Sequence, residues 1–212
     1  MTDNGRLMHS VLLSIIGFLF SASSLGAVNN PVEMLEHRLL GAEGISLTFE
    51  LRSEGAVASI LSGSLNLCRG NRILIQSEGE IFGQEVRNSL RADGQIVELN
   101  QQQATIPSNL NEAIIVGFLR MGLLHNLVRL SGNLLPDHAN GGVAEWVRIP
   151  AVGKNRDKIF FDILVAGSRA GRAELVLSGS GLPVKRSQTV YFGSEEMKVL
   201  ETYTDFSLTC QI

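Results

Sequence analysis

Residues 109–130, NLNEAIIVGFLRMGLLHNLVRL, decide the fold. Asn109 followed three residues later by Glu112 reads as a capping box, so a helix is expected to start there. At about 100° per residue, Leu110, Ile114, Gly117, Met121, Leu124 and Val128 share one face. Ile115, Val116, Leu119, Leu123 and Leu127 crowd the opposite one. A surface helix carries a single apolar stripe, whereas a helix apolar all round must be covered on two sides. A membrane span would need about 20 mostly apolar residues with few charges. Here Glu112, Arg120, His125 and Arg129 interrupt, and the longest clean run covers only residues 113–119. The helix is therefore expected to lie against a sheet on one side, under a second cover on the other. Gly117 and Gly122 are the points at which it can bend or divide.

On both sides of this segment the apolar period changes to two. Ile45, Leu47, Phe49 and Leu51 alternate with Ser46, Thr48, Glu50 and Arg52, the pattern of a strand with one buried face. Further strands are expected at residues 60–69, 72–79, 85–92 and 95–100, with turns at Arg69-Gly70-Asn71 and at Asp93-Gly94, a strong hairpin signal. Residues 101–107 read as a polar lead into the helix, and residues 130–142 as a loop that still carries Leu134 and Leu135. Strands are expected again at 143–149, 158–166, 172–178, 184–192 and 197–206, with 167–171 a hairpin loop and 179–181 a turn. Ahead of all of them, Asn30 as cap, Pro31 and Glu33 start a short helix that Gly41 and Gly44 end. Runs of strands with segregated helices mean α+β: about ten antiparallel strands in a curved half-barrel, with the helices on its concave face.

Residues 11–20 (VLLSIIGFLF) and the small-residue tail 21–27 (SASSLGA) read as a secretory signal peptide over residues 1–27, leaving one domain over 28–212. Val28 stands where a lipoprotein would need cysteine. With 18 Lys+Arg against 21 Asp+Glu and no block of like charge, nucleic acid is not an expected partner. Cys68 and Cys210, an even number for an oxidising compartment, either form one long-range disulfide or remain two buried thiols.

The order of these segments resembles the LolA-like family, the periplasmic carriers of outer-membrane lipoproteins. The resemblance rests on residues 46–52 (SLTFELR), 63–72 (GSLNLCRGNR), Asp93-Gly94 and 181–206 (GLPVKRSQTVYFGSEEMKVLETYTDF). The family's Phe-x-Gln is replaced by Phe49-Glu50-Leu51, and its Arg-Pro turn with a following Trp is missing after Arg69. The resemblance implies a soluble periplasmic monomer that carries acyl chains of lipids or lipoproteins between inner- and outer-membrane sorting proteins, without catalysis or cofactor. The alternative is a sensor or interaction domain on the same fold.

A carrier needs a dry apolar cavity with a closable mouth. The candidate wall is Leu47, Phe49, Leu51, Leu65, Leu67, Ile73 and Ile75 from the first strands, Ile115, Phe118, Leu119 and Leu123 from the helix, and Phe161, Ile163 and Val165 beyond it. Arg52, candidate for the family's lid-locking arginine, and Arg120 are placed at the mouth. The same apolar residues could instead fill an ordinary core. Catalytic signals are weak. Gly63-Ser64 and Gly179-Ser180-Gly181 lack the strand–elbow–helix frame of a nucleophile, and His37, His125 and His138 show no metal-ligand spacing. Glu195-Glu196 reads as a solvated turn.

Overall fold

The computed structural model describes residues 30–136, 141–150 and 157–212; the expected signal segment and His138 lie outside them. Helix α1 (Pro31–Leu40) begins as its sequence dictates: the Asn30 side chain accepts from the Val32 amide at 3.0 Å and proline occupies the first turn. A meander follows, formed by β1 (Gly44–Gly55), β2 (Ser59–Cys68), β3 (Arg72–Ile81), β4 (Gln84–Asp93), β5 (Ile96–Leu99) and β6 (Gln102–Thr105). At the β4–β5 turn, Asp93 Oδ1 accepts from the amides of Gln95 and Ile96, both at 2.9 Å, which holds its carboxyl below the usual carboxylate range. After α2 (Leu110–Met121), α3 (Leu123–Ser131) and α4 (Val143–Trp146), a second meander runs through β7 (Val147–Arg148), β8 (Lys158–Val165), β9 (Ser168–Leu177), β10 (Pro183–Phe192) and β11 (Glu195–Ser207).

The two meanders form one sheet, in the order β6-β5-β4-β3-β2-β1-β11-β10-β9-β8-β7. Consecutive strands are antiparallel neighbours, and the halves are joined where the first strand pairs with the last. The sheet is open at β6 and β7, so the α+β half-barrel expected from the alternation is the observed architecture. Each inner-face row crosses the seam. Leu61, Leu51, Glu201, Arg186, Leu175 and Ile159 stand side by side in one of them. The disulfide Cys68–Cys210 spans 142 residues and ties the end of β2 to the tail beyond β11, settling the question the two cysteines posed. Among the described residues no helix is long and apolar enough to cross a membrane.

Several expectations are corrected. The helix at 109–130 is two helices, divided at Gly122 (φ +93°, ψ 163°), a conformation open in practice only to glycine. Asn109 does not make the capping bond; Asn71 Oδ1, reaching from the β2–β3 turn, accepts from the Asn111 amide at 3.0 Å instead. Residues 102–105, read as a polar lead, form the edge strand β6, whose side chains are all exposed and therefore show no apolar phase. Residues 143–146 form one helical turn ahead of β7 rather than strand. The β8–β9 turn falls at Ala166-Gly167, so residues 168–171 already belong to β9. Gly117 stays helical. A side chain there would meet Asn126 Oδ1 at 2.6 Å, so the glycine lets α3 cross close to α2.

The second cover over α2 comes from α1 and from the chain after α3. Arg120, expected at a cavity mouth, is 4% exposed; its Nε and Nη2 donate to Glu36 of α1 at 2.9 and 2.8 Å, and Nη1 donates to the Gly141 carbonyl at 3.0 Å. Leu135, Trp146 and Ile149 pack against the same core.

Candidate functional site

The interface between the sheet and the α2–α3 layer unites most of the wall residues read from the sequence. Leu47, Phe49, Leu51, Leu65, Leu67, Ile73, Ile75, Ile115, Phe118, Leu119, Leu123, Phe161 and Ile163 are each at most 7% exposed and belong to one core cluster. The space expected as an open cavity is closed in this conformation, because helix side chains cover the sheet's inner face. Val165 is not part of the wall. The β8–β9 register shifts between Ile163 and Leu164, and beyond it Leu164 is buried while Val165 is 44% exposed. Arg52 also lies elsewhere: it alternates with Leu51 and Ser53 and is exposed on the outer face, where it lines a cleft of about 490 Å³ with Phe160, Arg172, Lys198 and Leu200.

At the centre of the interface sits a polar cluster that the sequence reading missed. Arg186 of β10 is fully buried, and its guanidinium closes the C-terminus of α2: Nη1 donates to the carbonyls of Leu119 at 2.8 Å and Phe118 at 3.4 Å, and Nη2 to that of Arg120 at 3.1 Å. Its Nε donates to Gln188 Oε1 at 2.6 Å, and Gln188 Nε2 in turn donates to the Met121 carbonyl at 3.1 Å. One strand over, Glu201 opens α3, accepting from the amides of Leu123 and Leu124 at 3.0 Å each and from the Tyr203 hydroxyl. The cation meets the negative end of one helix and the anion the positive end of the next, so both helix dipoles are complemented at the break.

Gly122 makes this approach possible. A Cβ there would lie 2.9 Å from Glu201 Oε1, 3.1 Å from Arg186 Nε and 3.2 Å from Gln188 Nε2. Aromatic rings close the site: the Arg186 guanidinium lies 5.3 Å from the centroid of Phe161, and Phe118 meets Tyr203 edge-on at 5.1 Å. Burial pulls the Arg186 guanidinium below its ordinary value, opposed by Glu201 and Tyr203; burial, reinforced by Glu201, pushes the Tyr203 phenol well above its own.

The outer ends of the helical layer are also held by polar groups of the sheet. Asn71 caps α2, while at the far end of α3 Asn88 donates to Ser131 Oγ at 3.0 Å and Asn100 donates to the Leu130 carbonyl at 3.0 Å. The cluster did leave a sequence signal. Met197, Val199, Glu201 and Tyr203 share the inward phase of β11, as Arg186 and Gln188 do on β10, so each strand carries one charge on its apolar phase.

The arrangement offers binding chemistry rather than a reacting centre. The cluster's polar atoms are taken up by helix termini and by one another. Among the described residues no group of three His, Cys, Asp or Glu side chains is placed to hold a metal ion.

No model of a known protein family matches the chain, and no curated protein matches it. Among solved structures, a LolA superfamily protein from Nitrosomonas europaea aligns over 86% of this chain and 93% of its own, at 8% identity and a TM-score of 0.27. A DUF1329 family protein from Desulfovibrio piger aligns over 82% and 89%, at 9% identity and the same TM-score of 0.27. The chain is similar to these two in outline, and at such scores the likeness carries no argument about what it does.

Proposed function

We propose that the protein is a periplasmic, non-enzymatic carrier that holds the acyl chains of a lipid or lipoprotein between the inner face of the sheet and the α2–α3 layer. The observation that carries this reading is the helical layer itself, apolar on both sides, broken at Gly122 and held there by Arg186 and Glu201. An ordinary core gains little from such a pair, since replacing a buried ion pair with well-packed apolar residues is often neutral or stabilising. At a docking surface that opens, the pair has a use. Arg186 and Glu201 are direct cross-strand partners, so when the helices lift the two can turn to each other, and neither is stranded.

An acyl chain then replaces the helix side chains against the same apolar wall. Each methylene removed from water contributes about 0.8 kcal/mol, so about ten give ~8 kcal/mol, enough to offset the lost helix contacts. The Cys68–Cys210 bridge fits an oxidising compartment, and partners that load and unload the carrier would be membrane-bound sorting proteins. The test is to purify the protein from its native compartment, extract it with organic solvent, and titrate it with a fluorescent acyl lipid. Co-purified lipid and saturable binding support the reading; absence of both refutes it.

A further inference from the structure

A cleft of about 460 Å³ opens at the end of the molecule where the sheet and helices part, within the size range of small-ligand sites. Its floor is made by Leu39, Ile45, Leu67 and Ile115, which belong to the same core cluster as the wall between sheet and helices. Its rim is polar and comes from three helix and strand ends meeting at the β2–β3 turn. Arg69 donates to the carbonyls of Gly41 and Ala42 at the end of α1, at 2.9 and 3.3 Å. Asn71 donates to the Ser108 carbonyl at 3.0 Å while its Oδ1 caps α2, and Asn111 donates to the Cys68 carbonyl at 2.6 Å. The charged residues lining the cleft are Glu43, Glu112 and Arg69, so the rim has one negative charge more than positive.

We infer that this cleft is the port of the acyl site, and that it seats the uncharged polar neck of an acyl glyceride while the chain runs inward over Ile45, Leu67 and Ile115. The inference rests on the acyl-carrier reading and deepens it. Three features select the occupant. The floor is continuous with the apolar interior, so hydrocarbon entering here need not cross water. The rim's amides and backbone groups both donate and accept, which suits glyceryl hydroxyl and ester oxygens. The surplus carboxylate repels a free fatty acid's carboxylate, and Arg69, its guanidinium held on two carbonyls, is already committed.

The test uses the full disulfide-bonded chain and two probes, monolauroylglycerol and laurate, titrated calorimetrically at pH 7 below their aggregation concentrations. The wild-type chain is expected to bind the glyceride about tenfold more tightly than laurate. Ala42→Trp and, independently, Ser108→Trp each place an indole at the port and are expected to weaken the glyceride about tenfold, with the thermal transition retained. Two separate plugs guard against one failing to fold. Glu43→Gln combined with Glu112→Gln is expected to close the gap between the probes by strengthening laurate. Wild-type protein that binds neither probe overturns both the carrier reading and the port. Binding that survives both folded plugs overturns the port and leaves the carrier reading standing. Laurate bound as tightly as the glyceride overturns the assignment of a neutral neck.

Discussion

Replacing Arg186 with methionine tests the claim that the helix break is held down by charge. The guanidinium makes three bonds to α2 carbonyls, at 2.8, 3.1 and 3.4 Å, and one to Gln188 at 2.6 Å. A hydrogen bond to a charged group contributes about 1.5–3 kcal/mol, but summing four of them would overstate the loss, because such contributions are not additive. The larger consequence is that Glu201, 0% exposed, loses its cation and keeps only the Leu123 and Leu124 amides and the Tyr203 hydroxyl. Removing one partner of a buried pair costs about 3–5 kcal/mol, a large share of the 5–15 kcal/mol that holds an ordinary domain folded. Urea unfolding of R186M is expected to show that loss at an unchanged denaturant slope. Hydrogen exchange locates it: the Leu123 and Leu124 amides should lose protection first, while those in the middle of β2 and β3 keep theirs until global unfolding. A loss below about 1 kcal/mol, or one spread evenly with no early release of those two amides, would refute the reasoning.

Gly122→Ala forces a side chain into a glycine-only conformation against Glu201, Arg186 and Gln188, and is expected to cost about 1–3 kcal/mol in the same urea assay. Reducing the Cys68–Cys210 bridge, or replacing both cysteines with serine, releases a loop of 142 residues. The chain-entropy model puts that at about 5 kcal/mol as an upper figure, read from the shift in denaturation midpoint. Tyr203 predicts the alkaline limit. Its phenol is raised above the ordinary 10.0, so the folded chain keeps a proton that the unfolded chain releases. That contribution is whole below pH 10 and is lost as pH rises through the folded value, so stability should fall above about pH 10, and Tyr203→Phe should flatten the decline.

The period-two alternation made most strands legible, because their inward residues meet a continuous apolar layer and their outward ones meet water. The alternation failed where that contrast vanishes. β6 is exposed on every side chain, and residues 143–146 are too few to show a period. The division at Gly122 was legible only as a possibility, since glycine permits the break but the groups that hold it sit some 65 to 80 residues away on β10 and β11. Glu201 among Met197, Val199 and Tyr203 was the readable anomaly, a charge on the wrong phase. Its partner required knowing that β10 lies beside β11. Arg52 and Arg120 show the converse. Position along the chain suggested a mouth for both, whereas the pleat turned Arg52 outward and the arrival of α1 buried Arg120 against Glu36.

The central seam also sets the order in which the molecule can be finished. β1 is the first strand to emerge during synthesis or export, yet its second neighbour, β11, is the last. Until the C-terminal residues arrive, β1 presents an unzipped edge in the middle of the future sheet, able to recruit any stray strand. Cys210 lies beyond β11, so the bridge to Cys68 can form only after the whole chain has been threaded. Disulfide formation therefore acts as a completion stamp, and nascent chains stalled before residue 195 should depend on a holding chaperone to stay out of aggregates.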